Sequence, residues 1–345
     1  MDDLFAQNQR SSKLTKLGDI LVELDALVDF AALARLVDAK APHADAKRGG
    51  RPRYPTELMV RMIVLQQFFG LSDDQVEYQI NDRTSFQRFL RLERSGQIPD
   101  SKTLWTFRER IKKANISDDL FADAKRQIGA KGYIARGGQV IDGTLIRAPV
   151  QHFTKEEKAD LEQGKVPEGW SKAKRAQKDL DATWTQKHGK SYFGYKASVS
   201  VDVQNKLIQT DIISTASEHD TKHFEAALDS ANTSRVVLAD KGYVDASREA
   251  RLTDAGWRLD IQRKAKKGKP LSACQRQRNK RIAKLRARGE HVFATIKQMG
   301  GGLVRTIGLA RAKVQLTLNA MAYNFKRTLF LVRRDAALQG SCACG

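Results

Sequence analysis

Cysteine is scarce in this 345-residue chain: Cys274 stands alone, and Cys342 and Cys344 lie in a short terminal tail. Such a set makes neither a disulfide framework nor a paired Cys-x-x-Cys zinc motif, and it fits a reducing compartment. The six histidines show no tight metal-ligand spacing. Aromatic residues make up 7% and form no strand-borne stacking motif, which argues against a basic RNA-binding sheet. No apolar run approaches the roughly 20 residues of a membrane-spanning helix. Met1-Asp2-Asp3 lacks the basic and then apolar pattern of a secretory signal, so a cytoplasmic location is expected.

What the chain has in excess is positive charge. Sixty-one Lys and Arg against 40 Asp and Glu give a net charge of +21, which predicts attraction to a polyanion. Hydrophobic residues, at 41%, suffice for more than one core.

The first 130 residues read as helical. Leu21, Leu24, Leu27, Val28 and Leu33 follow a helical period over residues 1–40. A basic, Gly/Pro-punctuated segment follows, from Lys47 through Arg51-Pro52-Arg53 to Pro55. Capped helices are then expected from Thr56 to Phe69, around Gln75 to Ile80, from about Asp82 to Leu92, and from Asp100 to Ile111. The series suggests a compact all-α domain of helix-turn-helix type.

After Gly132 the pattern changes. Gln139–Ile146 is a β-branched run centred on Val140-Ile141-Asp142-Gly143-Thr144. Residues 149–190 are polar and charged and read as an excursion with a helix near 154–163. Tyr192–Val203 alternates as a half-buried strand with a hairpin partner at Lys206–Thr215. A helix is expected over Thr221–Ala231, a strand over Arg235–Ala239, a helix over Ser247–Ala255 and a strand over Trp257–Gln262. A long helix carries Glu290, and a final helix spans Ala310–Val332. This order gives an α/β fold, a ribonuclease-H-like mixed sheet flanked by helices. The expected domains are 1–130, 131–335 with its insertion at 149–190, and a tail at 336–345.

Three carboxylates stand out. Asp142 lies within an apolar strand, where a lone charge is costly unless it faces a cleft or a cation. Asp240 follows Val236-Val237-Leu238-Ala239, at the kind of strand end where α/β sheets expose their sites. Glu290 shares a helical face with Arg286, Phe293 and Lys297, beside an apolar stripe of Ile282, Leu285, Val292 and Ile296. Taken singly, a turn, a cap or a solvated ion pair explains each as well as chemistry does. Together they make a hard-oxygen set suited to magnesium or manganese. Two such ions activate a nucleophile and stabilise the leaving oxygen of a phosphodiester.

At these residues the sequence resembles a bacterial insertion-sequence transposase of the DDE class, and within it the insertion-sequence-five group. Over residues 48–327 the pieces come in the family order. They are Gly50-Arg51-Pro52 with Tyr54-Pro55, Leu71-Ser72-Asp73, Pro99-Asp100-Ser101, the Asp142 strand, Lys190–Lys196, His219-Asp220-Thr221, Ala239-Asp240-Lys241-Gly242-Tyr243, and Arg286, Glu290 and Lys297 at the family's spacing. Ala283 stands where the broader superfamily has a tyrosine. The resemblance implies a transposase that binds the terminal inverted repeats of its element and carries out metal-dependent cleavage and strand transfer. Asp142, Asp240 and Glu290 would be catalytic and metal-binding, with two Mg2+ or Mn2+ ions. Arg286, Lys297, Lys241 and Tyr243 would contact DNA, and His219 would assist at a phosphate or cap a helix. The implied partners are double-stranded terminal-repeat and target DNA and a second copy of the chain or a larger synaptic assembly, at the bacterial nucleoid. A domesticated nuclease or recombinase on the same fold, or a non-catalytic DNA-binding protein, is the alternative.

Arg51 and Arg53 in their extended segment suit a minor groove. In the helices that follow, Arg83, Arg88 and Arg91 compete with Lys102, Arg108 and Arg110 for the groove-facing role. Between 263 and 288 there are twelve Lys and Arg and no acidic residue, a stretch suited to tracking phosphates.

Overall fold

The structure is a computed structural model that describes residues 6–43, 52–92, 97–187 and 189–342. Arg51, most of the basic segment around it and Cys344 lie outside the described residues. The chain divides into two compact units, residues 1–134 with 317–345, and residues 135–316. The second expected domain ran on to 335, whereas residues 317–345 cluster with the first unit.

The first unit is helical. The expected run over 1–40 is three helices, α1 (Ala6–Lys16), α2 (Ile20–Leu27) and α3 (Phe30–Lys40). Gly18, at φ +90°, separates the first two, and Asp19 and Asp29 cap the second and third through their carboxylates. Helix α4 (Thr56–Phe69) ends on Gly70 in the left-handed conformation, where a side chain is disfavoured. Its cap residue is Pro55, so Thr56 is spared to donate to Asp38 at 2.7 Å. Helices α5 (Asp73–Asp82), α6 (Thr84–Phe89), α7 (Ser101–Ala114) and α8 (Ser117–Ala130) follow. A capping box of Ser72 and Gln75 opens α5, and Asp100 opens α7.

Arg61 is 2% exposed in this core. Its guanidinium reaches Asp25 at 2.6 Å and Glu57 at 2.9 Å, donates to the Phe89 carbonyl, and lies 4.4 Å from the Phe30 ring centroid. Phe30 and Phe89 meet edge to face at 5.3 Å.

The second unit is a mixed sheet. It comprises β1 (Gln139–Arg147), β2 (Thr183–Lys187), β3 (Lys190–Asp202), β4 (Ile208–Thr215), β5 (Val236–Ala239) and β6 (Arg258–Ile261). Long β3 pairs antiparallel with β1 on one side and with β2 and then β4 on the other. Strands β5 and β6 continue the sheet beyond β1 in parallel. Asp202 is fully buried and accepts the backbone N–H groups of Asn205 and Leu207, which closes the β3–β4 turn. Gly194 has φ +150°, and a Cβ there would sit 2.2 Å from the Ile146 carbonyl oxygen. The close pairing of β3 with β1 therefore requires glycine.

The insertion holds α9 (Lys155–Glu162) and α10 (Lys172–Gln177), with Phe153 stacked on Trp170. The segment expected as a helix over Thr221–Ala231 is instead a short 3-10 turn at Asp220–His223 followed by irregular turns. Its polar groups bond locally and to β1: Asp229 accepts from Ala231 N–H, and Asn232 exchanges bonds with Gly138. Helices α11 (Ala246–Asp254) and α12 (Ala273–Ile296) cover opposite faces of the sheet, and α13 (Leu309–Cys342) begins in this unit. Among the described residues no helix is long and apolar enough to cross a membrane.

Candidate active site

The sheet register sets the site. Gln139 pairs with Val237 and Val140 with Leu238 across parallel β1 and β5. The same offset carried two residues further brings Asp142 level with Asp240. Side chains alternate along strands, so both aspartates share a face with Val140 and Leu238. Those two residues pack against Ile282 of α12. Helix α12 comes close because its residue over Val140 is Gly289, where a Cβ would stand 3.3 Å from the valine. One turn beyond Ile282, the same helical side presents Arg286.

Arg286 is 13% exposed and joins the two aspartates. It donates to Asp142 Oδ2 at 2.8 Å and to Gln262 at 2.9 Å, and it lies 3.7 Å from Asp240. Its Nε has no hydrogen-bond partner among the described residues. Asp142 also accepts from the Gly143 N–H at 2.9 Å, and Asp240 from the Lys241 N–H at 2.6 Å. Burial, helped by the charge of Asp240, raises the Asp142 carboxyl above its ordinary value, against the opposing pull of Arg286.

The opposite face carries a second polar group of residues. Asp220 sits over Gly143, where a Cβ would be 3.0 Å from its carboxylate. The Lys196 ammonium lies 2.9 Å from Asp220 at an angle that makes an ion pair but no hydrogen bond. Tyr243 is 3% exposed and packs on Phe224 at 5.4 Å. Its hydroxyl has no hydrogen-bond partner among the described residues. Burial first, then the charges of Asp220 and Asp142, raise it well above the usual tyrosine range.

The other expected site residues are distributed unevenly. Glu290 is exposed one turn beyond Arg286, and among the described residues no three Asp, Glu, His or Cys side chains are placed to hold a metal ion. Lys241, Lys297 and Arg53 are exposed. Tyr243, expected from the sequence to contact DNA, is 3% exposed, with its ring packed among core residues. His219 caps the 3-10 turn, its Nδ1 2.7 Å from Thr221 Oγ1. Sequence reasoning missed Gln262, Lys196 and Asp220. Gln262 directly follows β6, a parallel strand end like that of Asp240. Lys196 lay in the Lys190–Lys196 motif without an assigned task, and Asp220 was read with His219 as a core or helix-capping residue.

Two carboxylates on neighbouring strands converging on one positive charge form a hard-donor pair, and the Arg286 guanidinium stands in for a cation. The donor chemistry fits a divalent metal ion. Comparison with known proteins finds two family matches. The family described as "Transposase DDE domain" matches residues 135–325, more than half of the chain. The family "Transposase domain (DUF772)" matches residues 9–110. The chain belongs to the DDE transposase family, a family that implies divalent-metal dependence. Among solved structures it is similar to a cryo-EM structure of a piggyBac transposase synaptic complex with hairpin DNA, at 12% identity and a TM-score of 0.47, covering 93% of this chain and 76% of that one.

Proposed function

We propose that this chain is the DNA transposase of an insertion sequence of the insertion-sequence-five group. In this reading it binds terminal inverted repeats, cleaves a phosphodiester at each end and joins the 3′ ends to target DNA. The observation that carries it is the meeting of Asp142 and Asp240 on the single charge of Arg286. A sheet antiparallel on one side of β1 and parallel on the other, with helices on both faces, supports a ribonuclease-H-like catalytic domain. The capped helices of the first unit support a helix-turn-helix-like DNA-binding domain.

Asp142 and Asp240 would hold magnesium or manganese, two ions in all, with Glu290 as the third carboxylate. Such ions supply Lewis-acid stabilisation of an in-line phosphoryl displacement. The chain's own residues do the rest. Backbone N–H groups of Gly143 and Lys241 orient the two carboxylates. Arg286 neutralises them before DNA arrives and then turns to a phosphate near the cut. Lys241 and Lys297 hold flanking phosphates, Arg53 and Arg51 enter a minor groove, and the 263–288 stretch tracks the backbone. A dimer or larger assembly of the chain brings two ends together, at the nucleoid.

The test is cleavage of labelled DNA carrying the element's own ends, in magnesium or manganese, followed by capture of a target duplex. Nicking with joining to the target supports the proposal. Nicking without joining leaves a nuclease, and binding without cleavage in either metal contradicts the catalytic reading.

A further inference from the structure

Sequence leaves six basic residues of the first unit competing to face DNA, and the structure commits four of them elsewhere. Arg88 pairs with Asp19, and Arg91 with Glu57 at 3.1 Å. Arg108 pairs with Asp73, and Arg110 reaches Asp38 at 2.8 Å and the Ala41 carbonyl at 2.7 Å. Arg83 lies over the Phe86 ring at 5.1 Å. The four paired arginines tie helices to one another, whereas Arg83 meets the first turn of the helix it caps. Lys102 is different: it is exposed on the outer side of α7, and Trp105, Thr106 and Lys113 continue that side at helical spacing.

This side of α7 borders a cleft of about 970 Å³ whose far wall includes His43 and Arg53. The two acidic residues that line it are engaged. Asp100 caps α7 by accepting the Thr103 N–H at 2.7 Å, and Glu109 pairs with Lys112. The rim is therefore positive, through Arg53, Lys102 and Lys113. Trp105 stands 47% exposed between the two lysines. Cations flanking an exposed aromatic ring complement a nucleic acid, whose phosphates and base edges alternate along the strand.

We propose that the α7 cleft is the duplex-docking surface of the first unit. Lys102 and Lys113 hold phosphates, Arg53 enters the groove beside them, and Trp105 with Thr106 lies against the groove edge. This assignment rests on the DNA-binding reading above and names the surface that does it.

The test uses the full chain and a mixed-sequence DNA duplex. Trp105 is one of four tryptophans of the full chain, so the cleft is read from the difference between the wild-type signal and that of Trp105→Phe. Duplex addition is expected to quench the wild-type signal and not that of Trp105→Phe. Lys102→Ala/Lys113→Ala, checked for native circular dichroism, is expected to bind at least ~10-fold more weakly, with a log–log salt slope shallower by about 2. If the double variant keeps wild-type affinity and slope while Lys280→Ala/Lys284→Ala loses both, the cleft is not the docking surface, and an acidic protein partner becomes the better occupant. If the wild type itself fails to bind any duplex, the DNA-binding reading falls with it.

Discussion

Arg61 and Arg286 are both arginines that join two carboxylates, and they do opposite work. Arg61, in the helical unit, is 2% exposed, and Nε and Nη1 both bond to carboxylates from α2 and α4. Two phenylalanine rings flank it, Phe30 at 4.4 Å and Phe89 at 5.3 Å. Its charge is sealed in, so its function is to hold the unit together. Arg286, in the sheet unit, is 13% exposed, its partners Asp142 and Asp240 are 27% and 42% exposed, and its Nε lacks a partner among the described residues. A guanidinium held only partly, by carboxylates that open to solvent, can be exchanged for another cation. The same side-chain chemistry is structural where it is saturated and functional where it is not.

The comparison can be broken first at its structural half. Arg61→Ala removes the buried charge between Asp25 and Glu57, leaves them the more exposed Arg91 as counter-charge and is expected to cost about 2–3 kcal/mol, read as a fall in Tm. A loss under about 1 kcal/mol would mean that the aromatic packing alone carries the site. Gly194→Ala drives a Cβ onto backbone atoms of β1 at 2.2 Å and is expected to cost ~2 kcal/mol or more in chemical denaturation. An unchanged midpoint would show that the β1–β3 ladder relaxes at little cost.

Arg286→Gln probes the functional half. The partly exposed pairs predict a stability loss of no more than about 1 kcal/mol. Manganese is expected to raise the Tm of this variant more than that of the wild type, because the guanidinium no longer competes for the aspartates. Equal manganese shifts would show that Arg286 does not occupy the cation position.

The smallest effect is a local one in the insertion. The Lys174 ammonium, then the Thr154 N–H and the Trp170 indole, lower Glu157 from 4.5 to about 2. A carboxyl depressed on folding contributes stability that is complete above about pH 4.5 and is lost as pH falls toward 2. Trp170 donates to Glu157 at 2.8 Å, so its fluorescence is expected to change across that window and to stay flat in Glu157→Gln. A flat wild-type profile would dissociate this contact from the fold of the insertion.

The two halves of the comparison were unequally legible in the sequence. Asp142 and Asp240 could be found because a carboxylate in or after an apolar strand is locally anomalous. Arg286 could be found as the partner one turn from the docking stripe. Strand β1, strand β3 and helix α12 follow from period and composition. Arg61 could not be found: it sits inside Leu58–Phe69 as one basic residue in an apolar helix, and although Glu57 lies one turn before it on the same helix, Asp25 and the Phe30 and Phe89 rings come from other helices. Lys196 and Asp220 were hidden for the same reason, since their meeting depends on β3 and the irregular 220–232 segment folding over Gly143. That segment was misread because its apolar residues have helical spacing, while its Asn and Asp side chains satisfy the backbone in turns. Helix α8 was passed over between two stronger signals, and Glu290 remains exposed where its spacing had suggested a closed triad.

The most direct test of the account is manganese binding followed by electron paramagnetic resonance, on the wild type, Asp142→Asn, Asp240→Asn and Glu290→Gln, each checked for native circular dichroism. The account expects bound manganese in the wild type and at least ~10-fold weaker binding in each aspartate variant, with Glu290→Gln weakened when DNA ends are present. Wild-type binding in both aspartate variants would show that the Asp142–Asp240 pair is not the metal centre.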